Sequence, residues 1–371
     1  MSRKWCFAVF MAVIAAALLI FAGCSETPQK DEKWSAKGHE DTLSVQPTAA
    51  PERVNFGSYP KSQAAANVAS LLNGNVKIDA DTGNWTEYAG ADGKAWYDRE
   101  YGFYCYQPAL AAPTPAATAD PAETPAATAG SSSEEATAPP VNVEYGETQY
   151  YVLQGSNYFL VEPITWLVLE SKDNTLLLIT ESVIESGLPF HDQYGAVSWA
   201  DSSMRDWLNG TDEYAVGGAK YKNYWNFYHR AFSEEERGAI RPSVIQTEDH
   251  EVYGTLGGGE TTDYIYLLSS QEADGTYKIF SVENITADHP ENANSTRVVY
   301  ATPYAVSRGV SAGSKNECIW WLRSPGISTY MQAVYRFGDI GNGYAVNDTA
   351  VGIRPVVRVS ADAVTRLEAG E

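Results

Sequence analysis

Histidine and cysteine are scarce, with five of one and four of the other in 371 residues. The histidines (His39, His191, His229, His250 and His289) show no metal-binding spacing such as His-Glu-x-x-His. Two cysteines far apart in sequence cannot build a zinc or iron–sulfur site without histidine support. No metal and no cofactor is therefore expected. A serine hydrolase, which needs a strained strand-to-helix nucleophile turn, is not expected either. Basic residues are outnumbered, 26 against 47, for a net charge of −21. That balance argues against polyanionic partners, so no nucleic acid is expected. Past residue 23 no apolar run approaches the roughly 20 residues of a membrane-spanning helix. Long helical patterns are also missing, which argues against a solute receptor made of repeated βαβ units.

What the chain does have begins at its start. Arg3 and Lys4 precede an apolar run from Phe7 to Phe21, and Ala22-Gly23-Cys24 follows. This is the layout of a secretory signal, residues 1–23, with a cysteine after the cleavage site. It resembles a bacterial lipoprotein lipobox, with Phe21 where Leu is more usual. Cys24 is then the lipidation site, and acyl chains such as palmitate hold the protein at the cell membrane on its extracytoplasmic side. The alternative is an uncleaved anchor, since Trp5 to Gly23 could span a bilayer at about 1.5 Å per residue. Residues 1–23 hold two basic residues and no acidic one, so their removal takes the charge from −21 to −23. Of the other cysteines, Cys6 leaves with the signal, and Cys105 and Cys318 form a candidate disulfide in an oxidising compartment.

Residues 24–52 are polar and read as a flexible tether. Residues 110–142 are rich in Ala, Pro, Thr, Ser and Glu and cannot bury enough surface to offset chain entropy. They read as a disordered insertion within one domain, 53–361, because Val54 to Tyr59 and Tyr101 to Tyr106 look like strands needing partners from elsewhere. Residues 362–371 read as a tail. After the insertion, hairpins are expected across Gly155-Ser156-Asn157 and Lys172-Asp173-Asn174. Short helices are expected after Ser202, with Met204, Trp207 and Leu208 on one face, after Ser233, where Glu236 completes capping-box spacing, and at Thr302-Pro303. Strands and turns fill the chain from Ile319 to Val359. The class is α+β, mostly antiparallel sheet with short helices.

Several stretches together resemble one family: Phe56-Gly57-Ser58-Tyr59-Pro60, Glu162-Pro163-Ile164-Thr165-Trp166, Ser203-Met204-Arg205-Asp206-Trp207-Leu208-Asn209, Phe232-Ser233-Glu234-Glu235-Glu236, Trp320-Trp321-Leu322-Arg323-Ser324-Pro325-Gly326 and Val351-Gly352-Ile353-Arg354-Pro355. It is an uncharacterised domain common in exported proteins of Gram-positive gut bacteria. Its core is similar to the C-type-lectin-like fold of formylglycine-generating enzymes. The resemblance implies that fold here and supplies no activity. Those enzymes need two cysteines close in space, and Cys318 has no second late cysteine beside it.

Arg205, Arg323 and Arg354 lie inside apolar motifs. A guanidinium there either grips an anionic ligand or ties loops together, and the structural role is the one expected. Trp320 and Trp321 are adjacent and should face opposite ways in a strand. Trp321 is the candidate for a surface ring that stacks on a sugar. Asn342, Tyr344, Asn347 and Asp348 offer amides, a phenol and a carboxylate suited to sugar hydroxyls, although Gly-Asn-Gly and Asn-Asp are also common turn sequences. Asp79 to Asn84 resembles the start of a calcium loop but lacks the closing Glu and reads as a turn. The function expected is a lipid-anchored extracytoplasmic module that binds a glycan or protein ligand without catalysis. The rivals are an enzyme on the same scaffold, using Cys318 or carboxylates, and a purely structural envelope protein.

Overall fold

The computed structural model describes residues 51–79, 82, 84–99, 102–110, 144–210, 214–216, 219–221, 226–280 and 297–367, with only the backbone of 214–216 and 219–221. The signal, Cys24, nearly all of the tether and the insertion lie outside these residues. One eleven-stranded sheet organises the rest. Its main path runs Ile240–Arg241, Val356–Ser360, Thr175–Thr180, Asn157–Lys172, Gln149–Gln154, Phe103–Pro108, Gly93–Asp98, Tyr88–Gly90, all antiparallel. Strand Arg53–Gln63 joins by pairing along Asn157–Lys172, so the chain before the insertion is completed by the chain after it.

Asn157–Lys172 is the hinge of this arrangement. One edge pairs with Arg53–Gln63. The other pairs with Gln149–Gln154 at residues 157–160 and with Thr175–Thr180 at residues 166–172. Pro163, which has no N–H to give, falls in the gap between those two partners. The turn into Thr175–Thr180 puts Asp173 and Asn174 at φ +50° and +54°, the left-handed pair that a two-residue hairpin needs. Thr175–Thr180 does not alternate: Leu176 to Thr180 are all buried, because this strand is covered on both faces. Each such leucine contributes on the order of 1.5–3 kcal/mol of burial.

Among the described residues five α-helices pack against the sheets: α1 (Ala66–Asn75), α2 (Ser203–Asn209), α3 (Phe227–Ala231), α4 (Glu234–Ala239) and α5 (Pro303–Ser307). Their starts follow the local chemistry. Ser202, Asn226, Ser233 and Thr302 each accept a hydrogen bond from the backbone three residues on. At α4 the Glu236 side chain returns the bond, completing a capping box, and its other oxygen also accepts from Gly57 N at 3.0 Å. Helix α1 buries Val68, Leu71 and Leu72 with Val76, Ala95, Tyr106, Tyr151 and Tyr158 in a small core of its own. A second, larger core gathers around Trp166, Trp199, Phe190 and Phe227. Among the described residues no helix is long and apolar enough to cross a membrane.

Two expectations are corrected here. The domain does not stop at 361, because Thr365–Arg366 pairs with Val54 and Asn55, and Leu367 N donates to Arg53 O at 3.1 Å. Cys105 and Cys318 are free, buried thiols rather than a disulfide. Cys105 sits opposite Trp96 and Tyr150 in the main sheet, and Cys318 opposite Val299 in a separate two-stranded ribbon.

Strand Trp320–Pro325 heads a three-stranded sheet with Tyr330–Val334 and Ile340–Ala345, and all six of its residues are buried. Arg323 is buried at its centre. Its Nη1 and Nη2 take the two carboxylate oxygens of Glu272, Nη1 also donates to Leu267 O at 2.7 Å, Nη2 to Gln246 O at 3.1 Å, and Nε to Thr247 Oγ1 at 3.1 Å. One guanidinium thereby ties three segments. Arg323→Ala should cost about 3–5 kcal/mol in denaturant unfolding, because the Glu272 carboxylate and two carbonyls lose their donor. The double variant Arg323→Met/Glu272→Met should recover most of that loss. A single variant of wild-type stability would contradict this reading.

Candidate functional site

A cleft of about 450 Å³ lies between the strand ends beside α1 and side chains of the large core. One wall is Tyr97, Tyr104 and the Val152–Gln154 strand end. The other is Tyr59, Glu185, Trp207, Arg230, Tyr304 and Arg308. The rings of each wall pack on one another. Tyr97 and Tyr104 meet edge-on at 4.9 Å, with Trp85 and Tyr158 behind them. Tyr59 packs against Phe227 and Tyr304, and Trp207 against Phe227.

Glu185 is the polar centre. The backbone on either side of it is fixed to Ile353: Ile353 N donates to Glu185 O at 2.9 Å, and Ile184 N to Ile353 O at 3.2 Å. Its carboxylate is buried and accepts three hydrogen bonds. Oε2 accepts from the Tyr59 hydroxyl at 2.7 Å. Oε1 accepts from Arg308 Nε at 3.0 Å and Ser186 N at 2.9 Å. Arg308 Nη1 reaches Gln154 Oε1 at 3.4 Å, on the opposite wall. Gly187 makes room for this. It has φ +76°, and a Cβ there would lie 2.8 Å from Arg308 O and 3.4 Å from the guanidinium.

Burial pushes the Tyr59 phenol well above its ordinary pKa, and the Glu185 carboxylate adds to the effect. Tyr304 is shifted the same way by the same two causes. Both therefore stay protonated at physiological pH, and Tyr59 donates its proton to the hydrogen bond with Glu185. For Arg308, burial disfavours the charge, and the Glu185 carboxylate more than restores it, so its pKa is raised.

The residues singled out in the sequence lie elsewhere. Trp321 does not face solvent. It is fully buried, with Tyr344 edge-on above it at 6.4 Å. The alternation of faces holds, but both faces of this strand are covered, so neither Trp320 nor Trp321 is a platform. Asn342 is exposed on the hairpin, 3.0 Å from His250 Nε2. Asn347 is exposed, and Asp348 Oδ1 accepts from Ala350 N at 2.8 Å, closing a turn. Arg205 pairs with the buried Asp263 at 2.6 Å. Arg354 is fully buried, donates to Thr180 O at 2.8 Å and lies over the Trp320 ring; burial pulls its pKa down to about 9.

A Gly-x-Ser-x-Gly spelling does occur, at Gly309 to Gly313, but it follows helix α5 instead of linking a strand to a helix. Ser311 Oγ accepts from Arg336 Nη2 at 2.8 Å, and Ser311 N donates to Ala350 O. This is a tied loop, not a nucleophile turn. Among the described residues no three His, Cys, Asp or Glu side chains converge as a metal site. A more open depression of about 550 Å³ lies over Arg323, whose guanidinium is already matched by Glu272.

Residues 173–361, about half of the chain, match the domain of unknown function DUF6273, and the chain belongs to that family. Neither a curated protein nor a solved structure shows significant similarity to it.

Burial pushes the Cys318 thiol from its ordinary 9.0 up to about 12, and that of Cys105 up to about 11. Neither is a thiolate at neutral pH. Both should resist iodoacetamide in the folded protein and react at once in denaturant, as read by mass spectrometry. For Cys318 the unfolded thiol ionises first, so stability should be intact below about pH 9 and fall toward pH 12. Rapid labelling of either thiol in the native protein would contradict their placement.

Proposed function

We propose that this member of the DUF6273 family is a lipid-anchored, extracytoplasmic binding module that takes a glycan in the Tyr59–Tyr97–Tyr304 cleft and performs no chemistry on it. The observation that carries this reading is the lining of the cleft: tyrosine rings on both walls and a tryptophan on one, with a hydrogen-bonded carboxylate and two guanidinium groups among them. Sugar rings present apolar C–H faces to aromatic surfaces and hydroxyls to polar groups, and this lining offers both. The volume falls in the range of small-ligand sites. A concave, ring-walled cleft favours a glycan over a protein ligand.

Catalysis has weaker support. Glycoside hydrolysis ordinarily needs two carboxyl groups flanking the bond. Among the described residues Glu185 is the one carboxylate lining the cleft, and its oxygens are held by Tyr59, Arg308 and Ser186. A cysteine-dependent oxidase needs an accessible thiolate, and burial opposes that at Cys318. The reading extends to a C-type-lectin-like arrangement. The antiparallel sheets, the short helices and the late Gly352-Ile353-Arg354 segment running into Val356–Ser360 support it.

Two experiments test the proposal. The full-length chain in detergent should be retained on immobilised glycans or purified cell-wall polymers, equally with and without EDTA. Tyr97→Ala or Tyr104→Ala should weaken retention about tenfold, roughly the worth of one aromatic contact. Asn347→Ala should leave it unchanged. No retention on any surface would overturn the glycan reading. For the anchor, Cys24→Ser should abolish labelling by palmitate and release the protein from membranes. Persistence in the membrane without the label would instead support an uncleaved apolar anchor.

A further inference from the structure

One edge of the main sheet is interrupted. Ile240 and Arg241 pair with Val359 and Arg358, and Ile265 and Tyr266 continue along the same strand opposite Val357 and Val356. Between those two pieces the chain leaves the sheet as a two-stranded ribbon, Ser243–Thr247 against Gly259–Asp263. Among the described residues no further strand pairs with the other edge of Ser243–Thr247. Arg323 Nη2 donates to Gln246 O at 3.1 Å, from outside the ribbon. In an antiparallel pair, residues alternate between bonding the partner strand and turning their backbone groups away from it. Val244 therefore turns its N–H and C=O toward the same open edge as Gln246.

That edge is one wall of the depression of about 550 Å³ over Arg323. Residues 242–246 line it without a break, so the strand meets the space edge-on instead of by one face. Among the described residues the ionised groups lining it are Glu248, Glu272, Arg323 and Arg358. Arg323 spends its N–H groups on Thr247, Gln246, Leu267 and Glu272, and Arg358 pairs with Glu170 at 2.8 Å. Two groups are left over. The Ser243 hydroxyl is buried and has no hydrogen-bond partner, which costs free energy unless water or a ligand supplies one. The Glu248 carboxylate is exposed just past the end of the strand, and no ion pair or hydrogen bond holds it among the described residues.

An open strand edge beside a slot offers alternating donors and acceptors that match another backbone. The one uncompensated charge lining the slot is negative, in a chain of net charge −21. We infer that this groove takes an extended peptide bearing a lysine or arginine, added as a third strand on Ser243–Thr247 with its cation beside Glu248. The site is separate from the tyrosine-walled cleft, and the inference does not depend on the glycan reading.

The probe is a fluorescein-labelled peptide of alternating valine and threonine with a lysine at each end, so that either strand direction brings one lysine to Glu248. Its counterpart carries glutamate at both ends. Both are titrated by fluorescence anisotropy against the full-length chain in detergent. Strand addition relies on backbone bonds, so a generic sequence suffices. The lysine peptide should bind about fivefold more tightly than the glutamate peptide at low salt, the worth of a surface ion pair, and added salt should shrink the difference. Glu248→Lys, at an exposed position, should reverse the preference. Ser243→Ala should weaken binding of the lysine peptide about threefold or more, with no loss of thermal stability, because the hydroxyl it removes has no partner. Hydrogen–deuterium exchange with the lysine peptide should show protection of residues 242–248 and none around Tyr97–Tyr104 or Tyr304–Arg308. Failure of both peptides to bind at millimolar concentration, or binding that leaves 242–248 unprotected, would overturn the inference. Equal affinities that Glu248→Lys does not alter would overturn it as well.

Discussion

A carboxylate buried among aromatic rings is expensive unless every lone pair is met. Glu185 goes most of the way with three donors, two of them from distant parts of the chain. Tyr59 comes from the first strand, Ser186 from the next backbone position, and Arg308 from the end of helix α5. This is the constraint on which the site depends. It fixes where the first strand lies against α5, and it pins the Arg308 guanidinium at the mouth of the cleft. Removing one of these donors would leave the others around a poorly compensated charge.

The sheet supplies the second half of the site. Asn157–Lys172 serves two neighbouring strands along one edge and Arg53–Gln63 along the other. The α1 side and the large core are thereby parts of one sheet with a recess between them. Tyr97, Tyr104 and Gln154 come from one part, and Tyr59, Trp207 and Tyr304 from the other. A ligand seated there touches both. Packing on each wall orders the rings in advance, which lowers the entropy cost of binding.

Local features were legible in the sequence because local chemistry decides them. The capping box of Ser233 and Glu236, the Met204–Trp207–Leu208 face and the Asp173-Asn174 turn all form as expected, and so do the antiparallel class and the pairing of the first strand across the insertion. The site was not legible. Glu185 and Tyr59 are 126 positions apart and Glu185 and Arg308 are 123 apart, so no spacing betrays them. The available signal was a lone Glu inside the apolar stretch Val183 to Phe190, which marks a buried charge in need of partners. The Trp321 expectation failed for a different reason. Alternation assigns faces but does not say whether the second face is wet, and a further layer covers it here. The Asn342 to Asp348 stretch combined turn chemistry with binding chemistry in the same residue types, and at Asp348 the structure shows the turn.

Hydrogen–deuterium exchange tests the central claim most directly, on the full-length chain with and without a saturating digest of cell-wall glycans. It needs no prior choice of ligand and reports on both walls together. The account predicts protection in the segments around Tyr97–Tyr104, Glu185–Leu188 and Tyr304–Arg308, and no change in the 339–348 hairpin. Protection confined to that hairpin, with the cleft segments unaltered, would contradict the account and return the search to the exposed amides of Asn342 and Asn347.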